Sequence, residues 1–160
     1  MSNILRAPNG NGLLLTPRTG SHSLALAAMQ SFWPEIEIAD SRWHPAGYFG
    51  VQEYFTGGNE NVAVIVRNPI ERFRSMIAHR HLDVAEQLSR PMYGPLPDYN
   101  FVRYFKFETE LDDAADWLGI TVPLTQEDAT LEFDKPTLTP EQEARVREIY
   151  AADIALWGSL

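Results

Sequence analysis

Residues 62–66, Val-Ala-Val-Ile-Val, constrain the fold more than any other stretch of this 160-residue chain. Four of the five are β-branched and none is polar, so the strand they form has no face left for water. Such a strand belongs inside a sheet with helices above and below. Arg67-Asn68-Pro69 follows at once, and Pro69 reads as the first-turn proline of a helix with Ile70, Phe73 and Ile77 on its buried stripe. A covered strand leading through a short polar loop into a helix is the repeating unit of parallel α/β sheets.

The remaining chain fits that unit. Leu13–Thr16 reads as a short buried strand, and Ser21 to about Trp33 as an apolar helix that Pro34 stops. Ile36–Ala39 reads as another strand, Gly47–Phe55 as a short helix and Gly57-Gly58-Asn59 as a turn. Leu82–Leu88 continues or restarts the helix that began at Pro69. Residues 89–100 hold three prolines and read as an irregular loop, and Arg103–Phe107 as a strand. Thr109–Asp112 resembles a capping box opening a helix that ends at Gly119. Residues 121–138 read as loop. Thr139-Pro140-Glu141-Gln142 is a full N-terminal signal for a last helix, with Val146, Ile149, Tyr150, Ile154 and Trp157 inward. The expectation is one α/β domain over residues 1–160, three-layered α/β/α with a mainly parallel sheet.

Charge narrows the ligand classes. The formal net charge is −9, which disfavours a nucleic-acid partner. Yet Arg67, Arg72, Arg74 and Arg80 lie between Val62 and His81 against the single Glu71. A cationic patch on an acidic protein suits a small anion, although Arg74 and Arg80 read equally well as a solvated helix face. There is no cysteine, hence no disulfide or thiolate metal site. No apolar run reaches the roughly 20 residues of a membrane span, and residues 1–12 lack the pattern of a signal peptide. A soluble cytoplasmic protein without membrane partners is expected.

Ligands of such sheets bind beyond the C-terminal ends of the strands. Two loops there carry anion-binding chemistry. In Pro17-Arg18-Thr19-Gly20-Ser21-His22-Ser23, Gly20 allows a close backbone turn and Ser21, His22 and Ser23 fall at a helix N-terminus, where free N–H groups favour phosphate. Arg18 adds a guanidinium fork. Read structurally instead, Ser21 is an N-cap and Arg18 a surface charge. In the second loop Arg67 emerges just past the buried strand, with Ser75 two turns into the next helix. Arg72 is expected to pair locally with a carboxylate. His79 and His81, two apart, do not share a helix face and make no metal pair.

Together the two loops resemble the sulfotransferase family, which transfers sulfuryl groups from 3′-phosphoadenosine 5′-phosphosulfate. Residues 17–24 are similar to the family loop Pro-Lys/Arg-Ser/Thr-Gly-Ser/Thr-x-Ser/Thr-Leu, and residues 66–75 to Val-Arg-Asp/Asn-Pro-x-x-Arg-x-x-Ser. Lys106-Phe107-Glu108 through Leu118-Gly119-Ile120, and Tyr150, Asp153 and Leu156, extend the likeness. The resemblance implies a P-loop-like sulfotransferase fold. It implies that Arg18, Thr19, Gly20, Ser21, His22 and Ser23 hold the 5′-phosphosulfate and that Arg67 and Ser75 hold the 3′-phosphate, without a metal. His44, in Arg42-Trp43-His44-Pro45, is the nearest match to the family's base, with Glu53 a weaker carboxylate candidate. Transfer to the hydroxyl or amine of a small-molecule or glycan acceptor would be an in-line displacement.

Two positions depart from the family. Arg18 stands where lysine is usual, so it can stabilise charge but not give up a proton. His22 stands where threonine is common and could supply a ligand contact or a proton. The chain is also short for the family, so acceptor contacts would come from residues 44–58, from 89–100 or from a second subunit of a homodimer. Two rival readings stand beside this one. A binding module could keep the nucleotide pocket without transfer chemistry. A nucleotide or small-molecule kinase needs a Gly-x-x-x-x-Gly-Lys-Ser/Thr loop and a magnesium-binding Asp, and the chain has neither in place.

Overall fold

Two short segments at the start of the chain, β1 (Asn3–Arg6) and β2 (Gly12–Leu15), pair antiparallel around the turn-forming Pro8-Asn9-Gly10-Asn11. The computed structural model describes residues 3–35, 52–125 and 134–160. The described elements continue with α1 (Ser21–Phe32), β3 (Gln52–Tyr54), β4 (Val62–Val66), α2 (Pro69–Arg80), α3 (Val84–Ser89), β5 (Arg103–Lys106), α4 (Phe107–Leu118), α5 (Pro140–Ile149) and α6 (Ala151–Ser159). The strands form one sheet in the order β3-β1-β2-β4-β5. β2, β4 and β5 are parallel neighbours, whereas β1 runs antiparallel to both β2 and β3. The sheet is therefore mixed, a correction to the mainly parallel one expected. Its cause is the opening hairpin around Asn9-Gly10, whose first strand, Asn3–Arg6, holds too short an apolar run to read.

The five residues of β4 are all buried and split between the two faces as a strand must. Ala63 and Ile65 join Leu5, Leu13 and Phe105 under α1 and α4. Val62, Val64 and Val66 join Ile4, Leu14 and Phe101 on the other face, covered by Leu156 and Trp157 of α6 and by Phe55. Helices thus lie on both faces. A further cluster joins Phe73, Met76 and Ile77 of α2 to Val146 and Tyr150, seating α2 against α5.

Several sequence expectations change. Gln52–Tyr54 is a strand, not the end of a short helix. His81, with φ 53, ends α2, and α3 restarts behind the Asp83 cap. β5 runs straight into α4 at Phe107, without the capping box expected from Thr109. Glu110 is non-helical instead, and its carboxylate accepts the Lys106 N–H at 2.7 Å. The last helix breaks at Tyr150 into α5 and α6. The Thr139–Gln142 capping box forms in full, and Gly119 caps α4 with φ 80. The strand expected at Ile36–Ala39 lies outside the described residues, as does His44. No helix among the described residues is long and apolar enough to cross a membrane.

Candidate functional site

The parallel order of β2 and β4 brings the ends of two strands, and the two loops that follow, to one edge of the sheet. Arg18 and Gly20 both adopt left-handed backbone, with φ 62 and φ 76. For Gly20 this costs little, and it makes Gly20, not Ser21, the cap of α1. That cap has no side chain to accept from the first turn. The N-terminal N–H groups of Ser21, His22 and Ser23 thus lie beside this loop, at the positive end of the helix dipole.

Thr19 turns inward. Its hydroxyl donates to the Thr16 carbonyl at 2.8 Å and lies 2.7 Å from the Thr16 hydroxyl. With its hydroxyl spent on Thr16, its contribution is the shape of the loop. Ser23 is buried and Ser21 and His22 half-buried at the start of α1.

The two sequence motifs meet here through three contacts. The Arg18 Nε donates to the Ser75 Oγ at 3.1 Å, and an Arg67 Nη1–H donates to the Arg18 carbonyl at 2.9 Å. Arg72 Nε–H donates to the Pro17 carbonyl, also at 2.9 Å. Arg67 further stacks over the Phe107 ring at 4.6 Å. Burial, followed by the nearby Arg18 charge, pulls Arg67 below the ordinary arginine value, while Glu108 and Glu71 partly offset both. Two guanidiniums are thus crowded at one helix N-terminus, an arrangement a bound anion would relieve.

Supporting groups surround this core. Asn68 caps α2, accepting from the Ile70 and Glu71 N–H groups. Glu108 accepts the Asn68 N–H at 2.8 Å through one oxygen and the Trp157 indole N–H at 3.0 Å through the other. Arg72 stands 4.0 Å from Asp153, a carboxylate on α6 and not the local partner expected. Burial lowers the Arg72 value and raises that of Asp153. Arg18 and Arg72, with Phe73, Met76, Tyr93 and Tyr150, line a narrow cleft beside the loop.

Other candidates fall away from the site. Glu53 makes a two-pronged pair with Arg6, at 2.8 Å for both bonds, and accepts from Asn59 at 2.7 Å. The Arg6 bonds hold its carboxyl below the usual range, so it is a poor base. Arg74 bonds Glu71 and the Pro136 carbonyl, and Arg80 reaches the Tyr93 hydroxyl. No group of three or more acidic or histidine side chains is placed to hold a metal among the described residues.

Sequence reasoning missed the work of Arg72 on the loop and the bridging by Glu108. Neither has a local signal, because each partner is distant in sequence. Comparison of the chain with family models, curated proteins and solved structures gives no match.

Proposed function

We propose that the protein is a sulfotransferase of P-loop-like fold that takes 3′-phosphoadenosine 5′-phosphosulfate as sulfuryl donor and a hydroxyl or amine as acceptor. The observation that carries this reading is the meeting of Arg18, Arg67 and Ser75 in the loop that leads into the N-terminus of α1. One loop alone is a generic phosphate site. A second cation and hydroxyl, brought in from the end of the neighbouring parallel strand, provide for a second phosphate.

In this proposal the first-turn N–H groups of α1 hold the 5′ end and Arg67 with Ser75 holds the 3′-phosphate. His44 takes the proton of the acceptor as its oxygen or nitrogen bonds to sulfur. Arg18 neutralises the charge gathering on the bridging oxygen as the sulfur–oxygen bond breaks and the 3′,5′-bisphosphate leaves.

Calorimetric titration with adenosine 3′,5′-bisphosphate, and separately with ATP and magnesium, tests the reading. The bisphosphate is expected to bind in the presence of a chelator and magnesium-ATP to bind weakly. Preference for magnesium-ATP would replace this reading with a kinase.

A further inference from the structure

We propose that Arg72 and Asp153 are positioning residues that hold the 17–20 loop in its anion-binding shape and tie it to the proline-rich 90–100 segment. The proposal rests on the reading of the 17–20 loop as an anion site, and adds to that site a device that sets its geometry.

Arg18 carries a side chain at φ 62, a left-handed conformation that is sterically costly for non-glycine residues. Such a conformation persists when its surroundings over-determine it. The peptide plane before Arg18 is fixed through the Pro17 carbonyl by Arg72, and the plane after it through the Arg18 carbonyl by Arg67. Those two planes define φ and ψ at Arg18. Arg67 has a role in the proposed function already. Arg72 is the other half of the clamp.

Arg72 is in turn set by Asp153, whose Oδ2 lies 4.0 Å from its Nη1, with both side chains nearly buried. Both Asp153 oxygens lie 3.1 Å from the Leu96 nitrogen, whose N–H they share. Three residues earlier along the chain, the Tyr150 hydroxyl donates to the Tyr93 carbonyl at 2.6 Å. One buried ion pair therefore joins the anion loop to residues 93–96 on a different segment. A buried pair of this kind adds little to stability, because desolvation offsets its attraction. Its directional value is greater: Arg can donate through Nε to Pro17 while facing Asp153 with Nη1, which the single ammonium of Lys cannot do.

The test uses Arg72→Lys and Asp153→Asn in the full chain, each checked for native circular dichroism, with Arg147→Lys as an exposed control. Amide hydrogen exchange without ligand is expected to speed up about tenfold in both variants at Leu24, whose N–H donates to the Gly20 carbonyl at 3.0 Å, and also at Leu96 in Asp153→Asn. Calorimetry should show adenosine 3′,5′-bisphosphate binding weakened roughly tenfold. The control should match wild type in both measurements. Exchange at Leu24 unchanged in either variant overturns the proposal, and so does faster exchange with unchanged affinity. If wild type itself does not bind the bisphosphate, the functional reading falls, and the exchange rates alone decide whether the pair positions the loop.

Discussion

Gly20 serves the site in two ways that no other residue type could combine. Its φ of 76 lets the chain turn into α1, and its missing side chain leaves room for Leu111 and Phe107. A Cβ there would sit 3.1 Å from a Leu111 methyl and 3.3 Å from the Phe107 ring. Gly20→Ala should lower stability by about 1–2 kcal/mol in urea unfolding, strain and crowding acting together. Gly58→Ala, with only an ordinary contact to Thr56 in prospect, is the matched control. Equal midpoints for the two variants would show that the loop relaxes freely. At this scale the sequence made Arg18, Gly20, Arg67 and Ser75 visible, because their spacing within each loop is local. It could not show that Arg72 reaches Pro17, since that direction depends on a contact 55 residues away.

At the scale of elements, legibility follows the range of the forces involved. β4 was legible to the residue because burial on both faces demands an unbroken apolar run. The start of α5 was legible because Thr139, Pro140 and Gln142 carry the capping chemistry within four residues. β1 and β3 were not, because Asn3–Arg6 holds only two apolar residues and Gln52–Tyr54 opens on two polar ones, so both owe their form to their partners. The break at Tyr150 was hidden for a similar reason: its hydroxyl is drawn to the Tyr93 carbonyl on another segment. Thr139→Ala removes the reciprocal cap and should cost about 1 kcal/mol. A smaller loss of helix content and midpoint than in Gly20→Ala is the expected pattern, and no change at all would mean that packing against α2 holds the helix start unaided.

For the molecule as a whole, the charge distribution and the sheet order act together. Residues 1–106 are near electrical balance and residues 107–160 strongly acidic, yet the cations of two separate motifs gather where β2 and β4 end. Only parallel pairing of these strands puts both loops at one edge, so the mixed sheet keeps the part of the expected topology that the site needs. The local cationic edge thus stands against a formal net charge of −9. The central claim is that the two loops form one site for a nucleotide phosphorylated at both the 3′ and 5′ positions. Affinities of wild type and Arg67→Ala for adenosine 3′,5′-bisphosphate and for adenosine 5′-phosphate test it most directly, because the ratio cancels any general loosening of the loop. Wild type should prefer the bisphosphate by at least about tenfold, the worth of one charge-assisted contact, and Arg67→Ala should lose most of that preference. Equal affinity of wild type for the two nucleotides would contradict the account.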